Sequence, residues 1–172
     1  MPRVKKTEPM QLIATTLSGL EDVLLRELES LGATEPVALR RAVSFQGDMD
    51  LLYRANYTLR TALRVLHPIR EFEANREQDL YRGVQEIDWQ EHLDKKGSLA
   101  IDPVVTGEVF RHGQYAAQLT KDAIVDQFRD RTGRRPDVNL DAPHLRINLR
   151  IHQNKVVVSL DSSGESLHKR GY

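Results

Sequence analysis

From Leu145 to His152 the chain alternates without a break: Leu145, Ile147, Leu149 and Ile151 take one side, Arg146, Asn148, Arg150 and His152 the other. Period-two patterning of this strength specifies a strand with one apolar and one basic face. Gln153-Asn154 leaves room only for a tight turn, and Lys155 to Leu160 then returns with Val156, Val158 and Leu160 apolar. Two residues cannot make a parallel crossover, so this pair must be an antiparallel hairpin. The segment Gln114–Arg131 reads as a long amphipathic helix, with Ala116, Leu119, Ala123, Ile124 and Phe128 forming its buried face and Gly133 as its stop.

The remainder reads as alternating strands and helices. Residues 11–17 form a buried strand. Ser18 and Glu21 have capping-box spacing, and Leu20, Val23, Leu24, Leu28 and Leu31 follow as a helix closed by Gly32. Residues 37–46 read as one half-buried strand built on Val37, Leu39, Val43 and Phe45. Asp48 caps a helix running to about Leu63, and Val65–Phe72 is a further strand in which Pro68 implies an edge or a bulge. Asp79–Ile87 is helical, a short turn from Asp88-Trp89 ends near Leu93, and Ser98–Val105 is a strand. The order β-α-β-α-β followed by α-β-α-β-β divides 172 residues into two unlike α+β halves.

Composition excludes more than it assigns. The absence of cysteine removes disulfides, thiolate-bound zinc, iron–sulfur clusters and thiol catalysis. No 18-residue apolar run exists to cross a membrane as a helix, and no signal peptide is visible at the start, so a cytoplasmic setting is expected. The glycines stand singly, with no phosphate-cradling loop, and the histidines lack ligand spacing. No catalytic constellation and no metal site emerge.

What remains is electrostatic. The chain is neutral overall, with 25 basic and 25 acidic side chains, but residues 69–110 carry net −5 and residues 111–172 net +4. Four basic groups in the last third are candidates for a polyanion-binding surface. They are Arg111-His112 at the entry to the long helix, Lys121 and Arg129 on its outer face, Arg134-Arg135 past its end, and Lys169-Arg170 in the tail. Phe110 and Tyr115 flank the first group and have the chemistry to stack on bases, although core is the expected place for each. Arg146 and Arg150 are read as covering the sheet or packing against the other half.

Several long motifs occur in a familiar order: S-G-L-E-D-V-L-L-R-E-L, V-S-F-Q-G-D, D-L-Y-R-G-V-Q-E-I-D-W, H-G-Q-Y-A-A-Q-L-T-K-D-A-I-V-D-Q-F-R, D-A-P-H-L-R-I-N-L-R-I-H and S-L-H-K-R-G-Y. Together they resemble the N-terminal region of bacterial 23S rRNA guanine methyltransferases. The resemblance implies a ferredoxin-like subdomain over 11–70 after a disordered start at 1–10, then a THUMP domain with a mixed sheet and C-terminal hairpin over 71–162. A linker over 163–172 would lead to a methyltransferase domain absent from this chain. It further implies binding of structured RNA, a 23S rRNA hairpin, with no DNA or membrane partner. S-adenosylmethionine would serve only the missing domain, so this chain itself would hold no cofactor and methylate nothing. The rival expectation is a protein-docking module that positions the catalytic domain without touching RNA.

Overall fold

The computed structural model describes residues 9–94 and 96–162. Lys169 and Arg170 therefore lie outside the described residues, as do the expected linker and most of the expected disordered start. The fold is α+β and divides into two compact units, residues 9–68 with 161–162 and residues 69–160.

The first unit runs β1 (Met10–Thr16), α1 (Glu21–Ser30), β2 (Thr34–Leu39), β3 (Ala42–Gly47), α2 (Met49–Thr58) and the first part of β4 (Ala62–Glu73). Its strands lie in the order β2-β3-β1-β4, each neighbouring pair antiparallel. This is the βαββαβ ferredoxin-like arrangement. Leu12, Ala14, Leu24, Leu28, Val43, Phe45, Leu52 and Val65 fill its core.

Local competition moved several expected boundaries. Residues 37–46 are two strands and not one. A two-residue turn at Arg40-Arg41, with Arg41 at φ 57°, reverses the chain between the paired Leu39 and Ala42. Such a turn inverts the alternation parity: Val37 pairs with Ser44 and Leu39 with Ala42, so these two face the side opposite Val43 and Phe45. Val37 and Leu39, expected half-buried, are exposed.

The helix expected to reach Leu63 ends at Thr58, because the Glu27 carboxylate of α1 accepts from Arg60 N (2.8 Å) and Thr61 Oγ1 (2.9 Å). Ala62 and Leu63 thereby become strand. The Ser18 half of the expected capping box is missing. The Glu21 carboxylate does reach back, to Gly19 N (2.8 Å), and also takes Arg41 N (3.1 Å); its own backbone amide, then those of Arg41 and Gly19, hold its carboxyl below the usual range. Pro68 costs no bond to β1, whose pairing with β4 ends at Leu66.

The second unit begins within β4, at Ile69, and continues through α3 (Glu77–Gln85), a 3-10 turn at Trp89–Glu91, β5 (Ser98–Thr106), α4 (Gly113–Thr132), β6 (Asp137–Val138), β7 (Leu145–His152) and β8 (Lys155–Asp161). β7 and β8 form the expected antiparallel hairpin, whereas β5 runs parallel to β7 and to the short unexpected β6, so the sheet is mixed. Leu99, Ile147, Leu149, Ile151, Val156 and Val158 meet Ala116, Ile124 and Phe128 of α4 and Leu80 and Val84 of α3 across one core.

The two helices of this unit pack parallel. Glu77 touches Tyr115, Gln85 reaches Ala123, and Gln127 bonds the end of α3, so contacts advance together along both helices. Gln127 is buried and closes the arrangement. Its Nε2 donates to the Gln85 and Ile87 carbonyls (2.8 Å each), and its Oε1 accepts from Trp89 N (3.0 Å). Those are the groups a helix end leaves without an intrahelical partner. Trp89, fully buried, donates Nε1 to the Val84 carbonyl at 2.9 Å.

Removing this amide strands three buried backbone groups, so Gln127→Leu is expected to lower stability by about 3 kcal/mol or more in urea denaturation. Arg129→Ala, at an exposed site, should stay within about 0.5 kcal/mol of wild type.

Candidate nucleic-acid interface

Because α3 and α4 run parallel, both N-termini open at the same end of the second unit. The cleft there has a volume of about 560 Å³ and is lined by Asn75, Arg76, Glu77, Gln78, Glu108–His112 and Tyr115. Arg76 and His112 are the residues that immediately precede the two helices. Free amides and the positive dipole ends of two helices face this space. Part of that potential is already used, since Asp79 Oδ2 accepts from Asn75 N and Arg76 N at 3.1 Å each. α4 carries no acid in its first turn and no side-chain cap, which leaves its end free to receive an anion.

Arg111 and His112, at the entry to α4, are exposed at this cleft. Tyr115 is also exposed, and its hydroxyl donates to Glu77 Oε2 at 3.0 Å, a bond that raises its pKa. Phe110 is core, 6% exposed, and offers no stacking face. Arg76 is a cleft residue that sequence reasoning missed. The usable signal was the N-R-E-Q-D run at 75–79, in which Asp79 stands three residues after Arg76 and accepts its amide.

The other candidate cations do not converge on this point. α4 has 20 residues and is thus about 30 Å long. Arg134 and Arg135 lie at its far end, beyond Gly133 in its left-handed conformation (φ 73°). Lys121 sits midway, beside a separate small groove lined by Leu99, Ile101, Val138 and Leu140.

Acids also mask several of these cations. Lys121 pairs with Asp122 (3.7 Å), Arg129 with Asp126 (3.3 Å) and Asp130 (3.5 Å), and Arg135 with Asp126 (3.5 Å). Asp126 also accepts from Tyr81 Oη at 2.6 Å. The basic residues of α4 and its C-terminal flank therefore belong largely to a structural ion network, and the single basic cradle expected from sequence is divided.

β7 presents its basic face to the side of the sheet away from the helices. Arg146 is held there by a two-bond contact to Asp102 (3.0 and 3.1 Å) and by the Leu140 carbonyl (3.0 Å). Arg150, by contrast, is exposed and forms no ion pair among the described residues.

Comparison with known proteins agrees with this architecture. The family model described as the RlmL ferredoxin-like domain matches residues 11–66, and the THUMP domain model matches residues 74–161. The chain belongs to the THUMP family and carries the RlmL-type ferredoxin-like domain ahead of it. It is 46% identical over 162 residues to the ribosomal RNA large subunit methyltransferase K/L of Cellvibrio japonicus, covering 94% of this chain and 22% of that protein.

Among solved structures, a predicted N6-adenine-specific DNA methylase from Listeria monocytogenes aligns with TM-score 0.83 and 27% identity over 96% of this chain and 43% of its own. SMU.472, a putative methyltransferase complexed with SAH, aligns with TM-score 0.82 and 25% identity over 96% of this chain and 44% of its own. The chain thus spans about a fifth of the curated relative and under half of either solved structure.

The ion network around Asp126 has a spectroscopic handle. Its carboxylate accepts from Tyr81 and pushes the phenol up to about 12. Below pH 10 that bond stabilises the fold in full, and the contribution falls as pH rises from about 10 to about 12, where the unfolded chain ionises and the folded one does not. Ultraviolet titration should show one late phenolate near 12, and Asp126→Asn should return it toward 10.

Proposed function

We propose that this chain is the RNA-docking part of a large-subunit ribosomal RNA methyltransferase. The observation that carries the reading is the cleft where two parallel helix N-termini meet Arg76, Arg111 and His112. Phosphate is the ligand for which free amides, positive dipole ends and guanidinium forks are jointly suited. The ribosomal RNA large subunit methyltransferase named above supports placing that phosphate in RNA.

In this reading a folded 23S rRNA hairpin is held by its backbone and shape, and a linked catalytic domain using S-adenosylmethionine methylates a guanine held at a fixed distance. In this reading methyl transfer belongs to the linked domain and RNA positioning to this one.

The direct test is fluorescence anisotropy with labelled stem–loops tiling large-subunit rRNA. At least one should bind with an affinity that falls steeply with salt, by about 0.7–0.9 in log K per decade for each phosphate contact. Arg76→Glu with Arg111→Glu should weaken that complex at least about tenfold, as expected for two lost charge-assisted contacts. Absence of binding to every stem–loop would leave the protein-docking reading in its place.

A further inference from the structure

The helix-free face of the second unit's sheet carries a basic patch to which the reading above assigns no role. Arg150, His152 and Lys155 are all exposed there. His152 and Lys155 are direct cross-strand partners on β7 and β8, and Arg150 stands two residues along the same face. That step is about 6.8 Å, comparable with the distance between successive phosphates on one nucleic-acid strand. Val104 lies beside Arg150 in register, 49% exposed, and Thr106 beside His152.

Thr106 Oγ1 and His152 Nδ1 share a hydrogen bond of 2.8 Å. With the hydroxyl donating, the imidazole is fixed and Nε2–H becomes the outward donor. Among the described residues no carboxylate lies within ion-pair distance of Arg150, His152 or Lys155, whereas Lys121, Arg129 and Arg131 of α4 each have one. Uncompensated positive charge on an open sheet face is thus concentrated at this end of β7.

The patch also adjoins the cleft. Gln153 and Asn154 form the hairpin turn at its edge. Gln153 Oε1 accepts from Glu108 N (3.2 Å), and Asn154 Nδ2 donates to Asn75 Oδ1 (3.3 Å), so each turn residue touches a residue lining the cleft. The Ala74 amide adds a 2.8 Å bond to the Asn154 carbonyl.

We infer that Arg150, His152 and Lys155 form a second phosphate-contact strip, and that one RNA strand runs from the sheet face over the Gln153-Asn154 turn into the cleft. The inference rests on the RNA reading and adds to it a surface and a direction. A protein partner is the less suited occupant, because the patch offers three hydrogen-bond donors and little apolar area beyond Val104.

The test uses the full chain and the best-binding rRNA stem–loop from the anisotropy screen. Arg150→Ala with Lys155→Ala should raise Kd at least about tenfold and reduce the slope of log K against log salt by about 1.4–1.8, the value of two phosphate contacts. Arg150→Lys keeps the charge and should retain the wild-type slope. A thermal melt establishes that each variant is folded. Should the double variant not fold, ultraviolet cross-linking of the wild-type complex must label the Arg150–Lys155 peptide, and absence of that label overturns the strip.

Wild-type binding with unchanged Kd and slope in a folded double variant overturns the strip and leaves the cleft reading intact. No binding by wild type to any stem–loop overturns both.

Discussion

The parallel packing of α3 on α4 is the constraint on which the second unit depends. Parallel helices bring like dipole ends together, which electrostatics disfavours. The arrangement persists because a buried side chain ties the helices at one end and an apolar core joins them along their length. Gln127 satisfies the carbonyls of Gln85 and Ile87 and the amide of Trp89, groups that would otherwise be desolvated without partners. Tyr81 on Asp126 adds a second tie. At the opposite end the two N-termini are left side by side, and an anion there relieves the repulsion that the packing creates. A feature required for stability at one end thus leaves two helix N-termini side by side at a cleft at the other.

Charge in this chain follows a division of labour. On α4 the cations alternate with aspartates and neutralise one another, which suits a helix that must stay soluble and pack on its inner face. Exposed pairs of this kind contribute little to stability and are screened by salt. Arg111 and His112 at the cleft and Arg150 and Lys155 on the far face of the sheet have no acidic partner among the described residues, whereas Arg76 pairs with Asp79 (3.8 Å) and Arg146 with Asp102 (3.0 Å). A neutral chain can therefore present a local positive surface without the non-specific affinity that a high net charge brings.

How much was legible in the sequence follows from the range of the interactions. The β7–β8 hairpin, α4 and the α+β class are written in alternation and helical spacing, both local signals. The Arg40-Arg41 turn escaped because Val37, Leu39, Val43 and Phe45 keep the spacing of one continuous strand across it, although the reversal puts the first two on the opposite face from the last two. The end of α2 escaped because Glu27, more than 30 residues away, captures Arg60 and Thr61. The candidate site was half legible. Arg111 and His112 could be placed at a helix entry from sequence, but the parallel partner that adds Arg76 is a tertiary fact. The same holds for the acids that mask Lys121, Arg129 and Arg135, and for the exposure of Arg150, which its strand pattern alone cannot separate from the held Arg146.

Amide chemical-shift mapping during titration with a large-subunit rRNA stem–loop tests the central claim most directly, since it reads every segment at once. The account predicts shifts concentrated at Arg76–Gln78, Phe110–Tyr115 and Arg150–Lys155, with Arg129–Arg135 at the far end of α4 unmoved. Shifts confined to Lys121 and Arg129–Arg135, with the paired helix N-termini silent, would contradict it.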